Sequence, residues 1–211
     1  MKCQALLAGG TGLILVFSAM AEEEYQGPFV GADFGIALTS DTRLKEFPGV
    51  SGRHNVRFDP GARLSLDGGW RFTDWFRAGG EFGVISHSIK GADASLVEFP
   101  LMANLEFQIP NKSRVVPFFG GGPGVSISVF DIDHDNLAGG DFVDGSTADA
   151  VFAWQAYGGA RFRINDSMSV GLVYKYFEAD STTWDVRRTA SDIRFGRTRT
   201  HAISASFSMD F

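Results

Sequence analysis

The sequence predicts an all-β fold, an eight-stranded antiparallel up-and-down transmembrane β-barrel, from three observations. First, apolar residues alternate with small or polar residues over eight segments of about 9 to 11 residues, the length that lets a tilted strand cross a bilayer. Second, the connections between these segments alternate between short and long. Third, the 211 residues include 26 Gly and 20 Phe, and only 21% of them are charged.

The sequence predicts a secretory signal peptide at residues 1–21 and the barrel domain at residues 22–211. Lys2 precedes a short apolar run at 5–20, and Ala19-Met20-Ala21 has the small-residue pattern of a cleavage site. An uncleaved anchor is the alternative. Because the only cysteine is Cys3, the mature chain would have no disulfide framework, Cys-rich metal site or thiol nucleophile.

The first four predicted strands span residues 29–38, 62–72, 76–84 and 97–107. Every second residue is apolar or aromatic, and the residues between are charged, polar or small, as in a strand whose two faces meet different environments. The large apolar residues of the first face are Val30, Phe34, Ile36, Leu38, Leu64, Leu66, Trp70, Phe72, Phe76, Phe82, Val84, Val97, Phe99, Leu101, Leu105 and Phe107.

The last four predicted strands span residues 117–129, 152–164, 170–176 and 203–211, with the same alternation. The second face of the strand at 117–129 is made of glycine, serine and Phe118, which would leave room inside a barrel. The large apolar residues of the first face are Phe119, Val125, Ile127, Val129, Phe152, Trp154, Phe162, Ile164, Val170, Leu172, Tyr174, Tyr176, Ile203, Phe207, Met209 and Phe211.

The connections indicate which strand ends lie together. Those near residue 73, at 110–114 and at 165–167 are short and contain Asp, Asn, Pro or Ser, which favour tight turns. Those at 39–61, 86–95, 130–150 and 179–199 are longer. Short turns at one rim and long loops at the other are typical of outer-membrane barrels, whose short turns face the periplasm.

The second face of the strands carries charges of both signs, so we expect it to face the barrel lumen and the aromatic face to meet lipid. The opposite orientation, a soluble barrel, would force the aromatic residues into an interior too small to hold them. Inward acids and bases can pair across a lumen filled with side chains. This predicted lumen charge network consists of Asp33, Arg63, Asp67, Arg77, Glu81, Glu98, Glu106, Arg161, Arg163 and Lys175.

Aromatic residues cluster beside the short turns, which predicts a girdle at the periplasmic membrane interface. This predicted girdle consists of Trp70, Phe72, Trp75, Phe76, Phe107, Phe118 and Phe162.

Several segments carry a resemblance to a known family. They are residues 27–32 (GPFVGA), 97–105 (VEFPLMANL), 116–125 (VPFFGGGPGV), 154–163 (WQAYGGARFR) and 172–177 (LVYKYF), with the terminal Phe211. In this order the chain resembles the outer-membrane protein β-barrel domain family, the small porin-like OmpA/OmpX-type barrels of Gram-negative bacteria. The resemblance implies location in the cell outer membrane.

The resemblance also implies roles for single residues. Phe211, with Met209 and Phe207 at every second position before it, is similar to the family's signal for the outer-membrane assembly machinery. Lys175 stands where the family often has Arg. Lysine keeps the positive charge but lacks the planar fork of the guanidinium. No peptidoglycan-binding domain follows residue 211, so the tether of the larger OmpA-type proteins is not expected.

The four histidines, His54, His87, His134 and His201, are predicted to be solvated residues of loops or upper strand ends. An outer-membrane hydrolase that modifies lipid A is the enzymatic alternative, with His87 beside Ser86 or Ser88, or His201 beside Ser204. Neither pair has the His and Ser two apart on one strand face that such deacylases carry. We therefore predict no catalytic residue.

Two loops differ in charge. Asp131, Asp133 and Asp135 resemble the start of a calcium loop, with Asp141 and Asp144 following, but Asn136 and Phe142 stand where an EF-hand needs Gly and an acid. A solvated acidic loop is expected, and loose divalent-cation binding is the alternative. The last loop is basic, with Arg187, Arg188, Arg194, Arg197 and Arg199, and would contact lipopolysaccharide headgroups or pair with the acidic loop.

The functional expectation is a non-enzymatic barrel with a structural or surface-interaction role through the loops at 39–61, 130–150 and 179–199. A narrow porin-like solute channel and the lipid A hydrolase are the alternatives. Expected partners are outer-membrane lipid, lipopolysaccharide, the assembly machinery and an extracellular ligand that the sequence does not identify. A net charge of −6 without a dense Lys/Arg cluster excludes nucleic acid, and no cofactor or metal is expected.

Overall fold

The computed structural model describes residues 26–46, 54–88, 90, 94–132, 147–181, 183–184 and 193–211. The predicted signal peptide, His134 and the acidic residues 133–144 lie outside these ranges. The strands of the described residues are β1 (Gly27–Thr39), β2 (Thr42–Glu46), β3 (His54–Val56), β4 (Gly61–Thr73), β5 (Phe76–Ser88), β6 (Ala94–Gln108), β7 (Val115–Ile132), β8 (Thr147–Arg163), β9 (Met168–Ala179), β10 (Thr183–Trp184), β11 (Ile193–Phe195) and β12 (Thr198–Asp210).

Eight of the described strands close into one barrel in the order β1-β12-β9-β8-β7-β6-β5-β4. Each pairs antiparallel with its neighbour, and β1 closes the ring by pairing with both β4 and β12, for example Ala32 with Leu66 and with Phe207. Closure leaves no open sheet edge, which a membrane-spanning sheet requires. The prediction of an eight-stranded antiparallel up-and-down barrel is confirmed.

The two rims of the barrel differ as the connections predict. The turn rim carries the short connections after β4, β6 and β8, and Phe211 lies beside Pro28 there through an N–H···O bond of 3.0 Å. The loop rim carries the long connections. No helix in the described ranges is long and apolar enough to cross a membrane.

Several strands extend beyond their predicted ends at the loop rim. β7 has 18 residues and β8 has 17, and their pairing continues to Phe130–Thr147, so residues 130–132 and 147–150, where a loop was predicted, belong to strands. β2, β3, β10 and β11 form a second sheet in the order β10-β11-β2-β3. The predicted loops at 39–61 and 179–199 therefore contain a four-stranded sheet within their described parts, which the sequence analysis missed.

Exposure follows the predicted alternation around the whole barrel. Outward residues such as Phe34, Leu66 and Leu172 have 58 to 66% of their surface exposed. Inward residues such as Arg63, Glu98 and Gln155 are almost completely buried. A surface of large apolar side chains around a polar interior belongs in a bilayer, because in water it would expose far more contiguous apolar area than soluble proteins tolerate.

The aromatic girdle forms at the turn rim, with one exception. Phe76 stacks between Phe72, at 5.6 Å, and Phe107, at 5.3 Å, and Phe107 also lies 5.6 Å from Phe119. Trp70 and Phe162 are exposed on the same outer surface. Phe118 was wrongly assigned to the girdle, because its place on β7 points it into the lumen, where it is buried.

Candidate functional site

The lumen of the barrel is filled by charged and polar side chains arranged around Glu81 of β5. Glu81 Oε1 accepts hydrogen bonds from Arg63 Nη2 and Lys175 Nζ, both at 2.9 Å. Glu81 Oε2 accepts from Asn104 Nδ2 at 3.1 Å and Gln155 Nε2 at 2.9 Å. One carboxylate thus joins side chains from β4, β5, β6, β8 and β9.

Lys175 of β9 connects Glu81 of β5 to Asp33 of β1. Its Nζ lies 2.6 Å from Asp33 Oδ2 on β1 and donates to Ser65 Oγ at 3.3 Å. An ammonium group has three donors and no fixed plane. Lys175 therefore contacts three acceptors in different directions, so this position does not require the planar fork of an arginine.

A second ionic cluster lies closer to the turn rim, around Glu106 of β6. Arg77 Nε is 2.8 Å from Glu106 Oε1, and Arg161 donates through both terminal nitrogens to the same carboxylate. The Arg161 guanidinium also lies over the Phe118 ring, 3.7 Å from its centroid. The ring and the carboxylate together stabilise a guanidinium that is largely removed from water.

An apolar layer lies on the loop-rim side of Glu81. It consists of Ala37, Ile85, Met102, Ala153, Phe177, Ala179 and Ala202, which are in contact and almost completely buried. These residues come from six of the eight barrel strands, so the layer spans most of the lumen.

Several polar side chains also lie in the lumen near the loop rim. Thr39 Oγ1 is hydrogen-bonded to His87 Nε2 at 2.7 Å and to Thr200 Oγ1 at 2.6 Å. Thr198 Oγ1 donates to Glu98 Oε1 at 2.9 Å.

The structure does not unite the whole predicted lumen charge network. Asp33, Arg63, Glu81 and Lys175 form one ionic cluster, and Arg77, Glu106 and Arg161 form the other. Glu98 is bound to Thr198 instead of a base. Asp67 lines a small lumen cavity of about 30 Å³, and it forms no ion pair within the described part of the chain.

Arg163 is exposed at the turn rim, outside both clusters. Conversely, the prediction omitted Asn104 and Gln155, whose amides join the Glu81 cluster. It also omitted the ion pair of Arg71 with Asp210 at 2.8 Å. All of these residues lie on the inward face of their strands, and this alternation could have indicated that they belong to the lumen network.

His87 was wrongly predicted to be a solvated loop residue. β5 runs to Ser88, which leaves His87 in a strand, inward and 1% exposed. Ser86 and Ser88 lie on the outer face, so neither serine is beside the imidazole. His201 is on the outer face of β12 while Ser204 is buried on the inner face. Neither His–Ser pair of the hydrolase alternative is therefore assembled.

His201 belongs instead to an aromatic and charged cluster on the outer surface near the loop rim. Its Nδ1 is hydrogen-bonded to Tyr174 Oη at 2.6 Å, and Trp154 lies 5.2 Å from Tyr176. Glu178 Oε2 accepts hydrogen bonds from Tyr176 Oη at 2.7 Å and from Arg199 Nε at 3.3 Å. This mixture of rings and charges suits the boundary between acyl chains and headgroups.

Two further predictions concern metals and assembly. No group of three or more His, Cys, Asp and Glu side chains suited to a metal ion occurs among the described residues, and the acidic loop lies largely outside them. Phe207, Met209 and Phe211 lie on the outer surface at the turn-rim end of the chain. Their role as an assembly signal stays a prediction.

A closed antiparallel barrel with a lipid-facing surface and a polar, filled lumen defines an integral outer-membrane β-barrel of Gram-negative bacteria. The chain belongs to the outer membrane protein beta-barrel domain family, whose model matches residues 10–211. The predicted family and location are thereby confirmed, and the turn rim faces the periplasm as in other such barrels.

Solved structures of other small barrels share the fold. Neisserial surface protein A (NspA) superposes with a TM-score of 0.60 at 15% identity, over 90% of this chain and 100% of that one. OprG from Pseudomonas aeruginosa gives 0.58 at 15% identity, over 87% and 96%. The outer membrane protein AlkL gives 0.54 at 16% identity, over 92% and 95%. Identities this low establish the fold alone, and no curated protein matches the sequence.

Proposed function

We propose that the protein is a non-enzymatic, closed outer-membrane barrel that presents an interaction surface to the cell exterior. The filled lumen is the observation that carries this proposal. Two ionic clusters and an apolar layer occupy the positions that a solute would have to cross. The separation of His87 and His201 from the nearby serines supports the non-enzymatic part.

The interaction surface is proposed to be the loop rim with the sheet β10-β11-β2-β3. The strands of this sheet carry Arg43 and Lys45 in β2 and Arg194 in β11. Arg197 and Arg199 follow closely, with more than half of each side chain exposed, and both also lie within ion-pair distance of Glu178. Exposed arginines favour polyanionic partners, including the phosphate groups of lipopolysaccharide.

Replacement of the second sheet tests this proposal. In the variant, residues 43–56 and 183–195 become short Gly-Ser turns, which leaves every barrel strand intact. We expect cells that display the wild-type protein to be retained on dextran sulfate beads, in a salt-sensitive manner, and cells with the variant to be retained several-fold less. Retention is counted by flow cytometry.

Neutral dextran beads and the shift of the folded barrel on an unboiled gel are the controls. Equal retention of the two cell populations, with both barrels folded, would contradict the proposed surface. Retention of wild-type cells on neutral dextran as strong as on dextran sulfate would exclude charge as the basis of binding.

A further inference from the structure

The turn rim of the barrel contains a cavity that the extracellular role does not explain. It has a volume of about 380 Å³ and lies among the ends of β4, β6, β8, β9 and β12 and the turns between them. Arg71, Arg161, Arg163, Asp166, Ser169 and Asp210 are among the residues that line it. The volume falls within the range of small-ligand sites, and the opening faces the periplasm.

Two arginines at this rim, Arg114 and Arg163, have no ionic partner among the described residues. The backbone N–H of Arg163 donates to the carbonyl oxygen of Arg114 at 2.8 Å, one step beyond the pair of Val115 with Phe162. This register places both side chains on the same side of the sheet, and both residues are exposed. Neither guanidinium forms an ion pair or hydrogen bond in the part of the chain that the structure describes.

The neighbouring arginines differ, because each of them already pairs with a carboxylate. Arg71 pairs with Asp210 at 2.8 Å, and Arg161 pairs with Glu106. Arg161 Nε is nevertheless buried and finds no hydrogen-bond acceptor among the described residues. Like charges directly opposite across two strands destabilise a sheet, so the Arg114–Arg163 pair favours a bound anion.

The groups around Arg163 indicate what kind of anion fits. Asp74 and Asp166 also line the cavity, and neither forms an ion pair with a described residue. Acids that line the same cavity as a guanidinium disfavour a ligand with many negative charges and favour one that carries both signs. The hydroxyl of Ser169 adds a neutral donor and acceptor.

We propose that the periplasmic mouth binds a short peptide, with its free carboxylate on the guanidinium group of Arg163, which lines the cavity, and its ammonium group toward Asp74 or Asp166. A planar guanidinium holds a carboxylate through two parallel hydrogen bonds. The lining residues lie in turns or on the inner face of the barrel, so the ligand enters from the periplasm and not from the membrane. This site is independent of the extracellular surface.

Titration of the folded wild-type barrel in detergent with alanyl-alanine, followed by isothermal calorimetry, tests the site. We expect saturable binding that is roughly ten-fold or more weaker in Arg163→Gln, because a charge-assisted pair is lost. Alanyl-alaninamide, which lacks the carboxylate, should also bind at least about ten-fold more weakly. Arg57→Gln, which changes an exposed arginine at the opposite rim, should bind like the wild type.

Each other outcome overturns the proposal. If alanyl-alanine did not bind, or if the dipeptide and its amide bound equally, the site would not recognise the peptide carboxylate. Inorganic phosphate that binds as tightly as the dipeptide would reveal a general anion site. If the wild-type barrel retained phosphatidylglycerol in preference to phosphatidylcholine, and Arg163→Gln lost this preference, the ligand of the mouth would be a lipid headgroup. An unboiled gel shows that each variant is folded.

Discussion

Glu81 is the residue on which the charge balance of the lumen depends. It is 3% exposed and accepts bonds from Arg63 and Lys175, while Asp33 of β1 compensates Lys175. Two cations and two carboxylates are therefore neutral together. Removal of one charge leaves a buried cation without full compensation, which costs far more than loss of the same pair at a surface.

Substitution Glu81→Gln is expected to lower the free energy of unfolding by about 3–5 kcal/mol, the usual cost of breaking a buried ion pair. Glutamine retains the shape and one acceptor, so packing changes little. The measurement is the urea midpoint in detergent, followed by tryptophan fluorescence.

Asp41→Asn is the matched control for Glu81→Gln. Asp41 pairs with Arg57 at 3.8 Å on an exposed surface, where an ion pair contributes about 1 kcal/mol or less. If the two substitutions lowered stability equally, the lumen cluster would be no more important than a surface pair.

The sequence predicts the face of these residues but not their partners. Period-two alternation places Arg63, Glu81 and Lys175 inside, yet it does not give the height of each residue in the lumen. Those heights depend on the register of all eight strands. Arg163 has the inward alternation too, and its position at the rim, beyond the filled part of the lumen, leaves it without an ionic partner in the described ranges.

Among the strands, β6 and β7 show how a barrel accommodates proline. Pro100 and Pro123 lack the N–H that a central strand needs. Opposite Pro100 lies Gly83, where an added Cβ would come within 3.0 Å of the proline ring. Pro123 lies between Gly122 and Gly124, and at Gly122 the backbone of β7 approaches β6 closely. Glycine beside each proline lets the strands stay together where a hydrogen bond is missing.

Gly122→Ala is expected to destabilise the barrel by about 1–3 kcal/mol, the range for forced overpacking. An added Cβ would overlap the carbonyl oxygen of Ala103 and lie 3.2 Å from Asn104 Cα, and backbone atoms cannot turn aside as a side chain can. The urea midpoint in detergent measures the effect.

Gly80→Ala serves as the control for Gly122→Ala. Its added methyl would point to lipid, and its nearest neighbour, the Met102 carbonyl oxygen, would be 3.8 Å away. A change within about 0.5 kcal/mol is expected there. A similar loss in both variants would show that glycine flexibility, and not close approach, matters in β7.

Strand ends could be predicted well at the turn rim and poorly at the loop rim. Near the turns, Asn165 accepts the N–H groups of Ser167 and Met168, a local signal that the sequence displays. At the loop rim β7 and β8 continue beyond the part of each strand that faces lipid. Neither strand face meets lipid there, so the alternation of apolar and polar residues becomes weak. The second sheet joins segments far apart in the chain, so no local pattern indicates it.

At the scale of the whole molecule, the lumen has a polar core and an apolar layer toward the exterior. The Glu81 cluster is neutral, the Glu106 cluster has two cations and one carboxylate, and the layer around Phe177 separates the Glu81 cluster from the loop rim. The Arg63 guanidinium carbon lies 5.7 Å from the Phe177 ring centroid, so the two layers are in contact. Ion passage would require both the separation of buried charges and hydration of this apolar layer, and each is costly.

The wild-type barrel is therefore expected to show no steady single-channel steps in planar lipid bilayers. Phe177→Ala, which shortens the largest side chain of the apolar layer, should admit water and produce a measurable ion leak. Phe82→Ala removes the same ring from the lipid-facing surface, where Phe82 is 48% exposed, and should leave the barrel insulating. Steady channels in the wild type would contradict the closed barrel and favour the solute channel. Equal leaks in the two variants would mean that general loosening, and not the Phe177 layer, controls permeability.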